Sequence, residues 1–198
     1  LPKLLSLLAT RSTTLLNIAE ISNSAAIPQT SLKRYLTLLE TIFLIKFLPA
    51  WSSNLGKRLI KTPKIILSDT GLLAYLTGVQ ISQLNQGNGA IGPLFENFVA
   101  MEITKQITWS HTHPQLFHFR TLRGQEVDLL LEDRKGRIVG IEVKASSTVT
   151  ANDFKNLKIL SEIAGKKFHR GIVIYTGSEI IPFGKDLYAV PVQGLWKL

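Results

Sequence analysis

The chain has 198 residues, no cysteine and a formal net charge of +9. With 45% hydrophobic and 19% charged residues it can bury a core and is not a disordered polymer. The absence of cysteine excludes disulfide scaffolds, thiol catalysis and thiolate metal sites, so any metal must be held by oxygen or imidazole. Lys46 interrupts the most apolar stretch, Thr41 to Trp51, and no run reaches the roughly 20 residues of a bilayer span. Leu1 to Ala9 lacks the basic start and small-residue cleavage site of a signal peptide. A cytoplasmic protein without a membrane partner is expected, and its start on Leu1 reads as a piece cut from a longer chain.

Charge is uneven along the sequence. Residues 1–90 carry 9 Lys and Arg against 3 acids, and residues 91–198 carry 14 against 11. Between the halves, Ile81 to Gly92 is rich in Gly, Asn, Gln and Ser, the composition of a linker. The expected organisation is therefore a domain over 1–80, a linker over 81–92 and a second domain over 93–198.

Leu4, Leu5 and Leu8 predict a short first helix, and Asn17 with Glu20 forms a capping-box pattern opening a second at Ile18 to Ser22. Asn23 to Ile27 has turn chemistry. Pro28 then starts a third helix through Glu40, with Leu32, Leu36 and Leu39 on its inner stripe. Ile42 to Leu48 and Lys64 to Leu67 read as strands joined by a basic loop holding Lys57, Arg58 and Lys61. Three helices followed by a hairpin predict a winged helix-turn-helix. Its third helix would present Gln29, Thr30, Lys33, Arg34 and Thr37 to a DNA major groove, with the loop adding phosphate contacts. Asp69 caps a further helix through Leu76.

In the second half, Pro93 opens a helix to about Ile107. On it Glu96 shares the inward stripe of Val99, Ala100 and Ile103, whereas Asn97 and Lys105 are expected on the polar face. Strands follow at Leu116 to Thr121, Glu126 to Glu132 and Arg137 to Ala145, then a helix at Asn152 to Ala164 and strands at Gly171 to Tyr175 and Tyr188 to Val192. The order αβββαββ predicts an α/β (α+β) domain with a mixed sheet flanked by helices.

The most informative spacing lies in the second and third of these strands. Arg134, Lys135 and Gly136 fit a three-residue hairpin loop with glycine in the left-handed position, which pairs Asp133 with Arg137. Counting back sets Asp128 opposite Glu142 on one side of the sheet, with side-chain roots about 5 Å apart. Two like charges so close drive one carboxyl toward protonation unless a cation lies between them. Four carboxylate oxygens suit Mg²⁺ or Mn²⁺, and Lys144 follows Glu142 on the same face. Glu96 offers a third carboxylate. Such a set would serve phosphodiester hydrolysis, the metal polarising a phosphoryl oxygen and Lys144 meeting the developing charge.

Other signals carry less. Gly87, Gly89 and Gly92 spell a dinucleotide fingerprint, but no strand precedes them and no acid follows at about 20 residues. No phosphate-binding loop of the GxxxxGK[ST] type occurs, so ATP chemistry would belong to an absent N-terminal domain. His111 and His113 sit in a polar loop before Pro114 and read as a solvated turn.

Glu96 on a helix, Asp128 within Gln125-Glu126-Val127-Asp128-Leu129, and Glu142-Val143-Lys144 together resemble the PD-(D/E)XK, restriction-endonuclease-like nuclease superfamily, with Val127 in place of the leading proline. The wider run is similar to a domain of unknown function found C-terminal to AAA+ ATPase domains in prokaryotes. That run comprises a winged helix, Ser68-Asp69-Thr70-Gly71-Leu72, Gly92 to Val99, Glu126 to Leu131 and Ile141 to Ser146. The resemblance implies Asp128 and Glu142 as metal ligands with the Val143 carbonyl, Glu96 as a supporting ligand or base, and Lys144 as the catalytic lysine. It further implies DNA and the chain's own missing ATPase domain as partners, and it leaves oligomer formation open. A noncatalytic nucleic-acid or protein interaction module that regulates the ATPase stands beside the nuclease as a second reading, because this fold hosts both.

Overall fold

In the computed structural model the described residues are 2–54, 62–80 and 91–197. They form two compact units, residues 2–48 with 62–80 and 91–101, and residues 49–54 with 102–197. The α/β character is as expected: among the described residues there are six α-helices and two sheets. No helix among them is long and apolar enough to cross a membrane.

The first unit opens with α1 (Pro2–Ala9), α2 (Ile18–Ala25) and α3 (Gln29–Thr41). Leu4, Leu8, Ile21, Leu32, Leu36 and Leu39 supply its core. Asn17 caps α2 by accepting from the Glu20 N–H at 3.1 Å, but the Glu20 carboxylate pairs with Arg11 instead of closing the capping box. Pro28 occupies the N-cap of α3. Strand β1 (Ile45–Leu48) begins three residues later than expected, because α3 runs to Thr41 and Phe43 takes a positive φ of 59° in the turn. It pairs antiparallel with β2 (Lys64–Leu67), and Asp69 caps α4 (Thr70–Thr77). Lys57, Arg58 and Lys61 lie outside the described residues, as does the expected linker except for Ile91 and Gly92.

Helix α5 (Ile91–Ile107) starts two residues before Pro93. Here one expectation is corrected: Asn97 is not on a solvated face but fully buried. Its Oδ1 accepts from the Ser12 hydroxyl at 2.7 Å and the Leu67 N–H at 2.9 Å, and its amide donates to the Leu67 carbonyl at 3.0 Å. A buried amide is tolerated when its donors and acceptors are met, and here partners distant in sequence meet them.

The second unit is a six-stranded mixed sheet of β3 (Gln115–Arg120), β4 (Glu126–Glu132), β5 (Ile138–Lys144), β6 (Phe168–Tyr175), β7 (Ile181–Pro182) and β8 (Leu187–Pro191), ordered β3-β4-β5-β6-β8-β7. The β3–β4, β4–β5 and β7–β8 pairs are antiparallel, and β5–β6 and β6–β8 are parallel. The two-residue β7 was not foreseen. Residues 49–54 belong here because the Trp51 N–H donates to the His118 carbonyl at 2.7 Å and the His118 N–H to the Pro49 carbonyl at 2.9 Å.

The β4–β5 hairpin follows the expected register: Leu129 faces Ile141, Leu130 faces Gly140, and the Asp133 N–H donates to the Arg137 carbonyl. Gly136 takes the left-handed conformation with φ 74°. Helix α6 (Lys155–Ala164), preceded by a 3₁₀ turn (Ala151–Phe154), packs Phe154, Leu157 and Leu160 against Val127, Leu130, Ile138 and Val173. It approaches so closely that a Cβ on Gly140 would lie 2.6 Å from Leu160 Cδ2 and 2.8 Å from Leu157 Cδ2. Gly140→Ala is therefore expected to destabilise the second unit by about 1–3 kcal/mol through overpacking. Urea unfolding of the chain checks this, and an unchanged midpoint would contradict the packing described.

Candidate metal-binding and nucleic-acid sites

The paired carboxylates arise from the hairpin register. Asp128 lies on β4 and Glu142 on β5, and the Val143 N–H donates to Asp128 Oδ2 at 2.9 Å, fixing that carboxylate against the neighbouring strand. Glu142 is only 5% exposed. Its second contact comes from α6, where the Asn156 amide donates to Glu142 Oε1 at 3.4 Å. Burial, followed by the negative charge of Asp128, pushes the Glu142 carboxyl up to about 9, with Lys144 opposing the shift. At neutral pH Glu142 therefore keeps a proton and shares it with Asp128.

The Lys144 ammonium also reaches a third carboxylate. Its Nζ is 3.8 Å from Asp153 Oδ1, while Asp153 Oδ2 accepts from the Thr150 N–H at 2.8 Å and the Thr150 hydroxyl at 2.9 Å. The structure thus brings Asp128, Glu142 and Lys144 together with two residues the sequence reading missed, Asp153 and Asn156. Both flank the Phe154, Leu157 and Leu160 stripe at helical spacing. That position beside a buried face was the available signal.

Glu96 stands in the first unit, where its Oε1 accepts from Lys64 Nζ at 2.8 Å; the Lys64 side chain is 2% exposed. That ion pair accounts for a carboxylate on an inward stripe. Glu96 also lies beyond the first turn of α5, so a favourable helix-dipole position does not explain it.

On α3, Gln29, Thr30, Lys33, Arg34 and Thr37 are all exposed, opposite Leu32, Leu36 and Leu39. His111 and His113 are exposed in the loop before β3. Away from the α6 face, an apolar groove of about 780 Å³ is lined by Ile107, Trp109, Ile141, Ile174, Leu195 and Trp196, among others, and includes no carboxylate.

Among the described residues no group of three or more His, Asp or Glu side chains is gathered for a metal ion. The donor set that exists is the Asp128–Glu142 pair, with the Val143 carbonyl beside it. Two carboxylates whose repulsion is relieved by a proton suit a hard divalent cation, and Mg²⁺ is commonly held by one or two carboxylates completed by water and phosphate oxygens. The residues fit such an ion.

A family described only as a domain of unknown function, DUF4143, matches residues 91–195, and a second one, DUF8612, matches residues 1–83. An uncharacterized protein of Mycobacterium tuberculosis and another of Mycobacterium bovis are each 30% identical over 175 residues, covering 88% of this chain. The chain spans 38% of the length of each. No solved structure matches.

Proposed function

The chain belongs to the DUF4143 family, and from that premise we propose that its second unit is a divalent-metal-dependent, PD-(D/E)XK-like nuclease module working behind an AAA+ ATPase domain. The observation that carries this reading is the Asp128–Glu142 pair on adjacent strands, with the Lys144 ammonium two residues along β5. The mixed sheet with α6 on one face is compatible with a restriction-endonuclease-like fold. The greater length of the mycobacterial relatives leaves room for an ATPase portion, and ATP would act only there. We read the first unit as a winged helix, its α3 residues Gln29, Thr30, Lys33, Arg34 and Thr37 meeting DNA; a cytoplasmic location goes with that substrate.

Asp128 and Glu142, with the Val143 carbonyl, would hold Mg²⁺ or Mn²⁺, and a bound ion would supply charge neutralisation at a phosphoryl oxygen and a more acidic water. Before that, Glu142 must release its proton. Asn156 then steadies the emerging carboxylate, and the Val143 N–H keeps Asp128 facing it. Lys144, which is paired with Asp153 at 3.8 Å and whose charge already opposes the shift at Glu142, would meet negative charge developing on the phosphate.

Nicking of plasmid DNA with Mn²⁺ tests the proposal. Asp128→Ala and Lys144→Ala should each lower the rate by about 10²-fold or more, the scale on which loss of one charge-stabilising group acts. Equal residual activity in the parent and both variants would end the catalytic reading. The near-complete burial of Glu142 favours a second reading, in which the pair is vestigial and the chain is a noncatalytic module regulating the ATPase. Calorimetry showing no Mg²⁺ or Mn²⁺ binding at any pH up to about 9 would select it.

A further inference from the structure

The solvent side of α6 carries exposed cations that form no ion pair among the described residues. Leu157 and Leu160 face the sheet, which leaves Lys155 and Lys158 exposed on the opposite side of the helix. Lys166 and Lys167 continue the line through the following 3₁₀ turn (Gly165–Lys167). The Lys167 side chain then passes over Gly136, bringing in exposed Arg134 and Lys135 from the β4–β5 turn.

Among the described residues none of these six side chains forms an ion pair. By contrast, Arg11, Lys105, Arg120 and Arg137 each pair with a neighbouring carboxylate. One acid, Glu162, is exposed on α6 among the lysines without pairing to either. Self-repulsion disfavours a row of unneutralised cations unless an anion normally covers it.

The row has a length and a direction. Ten helical residues span about 15 Å, and with the turn the line reaches about 20 Å, the axial extent of roughly six phosphates on one strand of a duplex. Its near end is Lys155, next to the Asn156 that touches Glu142, and its far end is the β4–β5 turn. A compact anion would fill only part of this line, whereas a polyanion with regular charge spacing fills all of it.

We infer that Lys155, Lys158, Lys166 and Lys167, with Arg134 and Lys135, form a phosphate track that holds one strand of duplex DNA and leads it toward the Asp128–Glu142 pair. The direction of the track rests on the nuclease-like reading of that pair; the phosphate contact does not.

The test is fluorescence anisotropy of the full chain with a labelled duplex of about 20 base pairs over a salt series, with plasmid nicking assayed in parallel. Each neutralised phosphate contributes about 0.9 to the slope of log affinity against log salt, so a variant with Lys155, Lys158, Lys166 and Lys167 all changed to Gln should lose about 3.6 units of slope. Two smaller variants, Lys155→Glu with Lys158→Glu and Lys166→Glu with Lys167→Glu, should each lose about half of that if the fourfold variant folds poorly. A slope unchanged in all of them, while Lys33→Gln with Arg34→Gln lowers it, overturns the track and leaves DNA binding with α3. No DNA binding by the parent overturns the track together with the DNA-binding reading. Loss of slope in a protein that never nicks DNA supports the track and ends the nuclease reading alone.

Discussion

Glu96→Ala is expected to destabilise the first unit by about 3 kcal/mol or more, because it takes a charged partner at 2.8 Å from an ammonium that is almost wholly buried. Lys64 sits on β2 between neighbours that are themselves in the core, where an ammonium pays a large desolvation cost and a carboxylate in contact recovers much of it. Changing both residues, Lys64→Met with Glu96→Leu, should restore most of the lost stability, since an apolar pair of similar volume often matches a buried ion pair. Urea unfolding of the single and double variants measures this. A Glu96→Ala midpoint within error of the parent would show that the pair carries no weight. The result also bears on catalysis: if Glu96 is chiefly the partner of Lys64, Glu96→Gln should lower stability more than it lowers any nicking rate per folded molecule.

This pair marks where the sequence was readable and where it was not. The leucine spacing of α3 and the apolar stripe of α6 are local signals, and both helices stand close to where that spacing sets them. The β4–β5 hairpin was readable to the residue, because Gly136 fixes the turn and the turn fixes the register. From that register came Asp128 opposite Glu142, and from burial together with their repulsion the raised Glu142.

Lys64 and Asn97 were opaque for the opposite reason. Both are polar residues in positions that pattern alone assigns to a surface or leaves undecided, and their burial depends on Glu96, Ser12 and Leu67, which lie tens of residues away in the chain. Hydrophobic periodicity reports which face turns inward, not which polar group will be met there. Asp153 and Asn156 escaped for a milder version of the same reason. Their spacing put them beside the inner stripe of α6, but only the packing of α6 on β5 directs them to Lys144 and Glu142.

Across the carboxylate pair, stability and metal affinity should move in opposite directions with pH. The Glu142 carboxyl titrates near 9 in the folded chain against an ordinary value of 4.5, so between those limits the folded state holds a proton that the unfolded state has released. The stability this proton confers is fully present below pH 4.5 and is lost progressively as pH rises toward 9. The loss has a limiting slope of about 1.4 kcal/mol per pH unit. Glu142→Gln, whose amide can take the place of the acid proton in donating to Asp128, removes the slope. Its stability relative to the parent should therefore climb by up to about 4 kcal/mol between pH 5 and pH 8, or by roughly 10 °C in Tm. Metal binding reads the same proton from the other side. A divalent ion held by both carboxylates must displace it, so Mn²⁺ affinity should rise by up to tenfold per pH unit below 9, with about one proton released per ion, and Glu142→Gln should bind far more weakly. Calorimetry at pH 6.5, 7.5 and 8.5 in buffers of different ionisation enthalpy, chosen to span the window, measures affinity and proton release together. Affinity independent of pH in the parent would mean that the ion, if it binds, does not use Glu142.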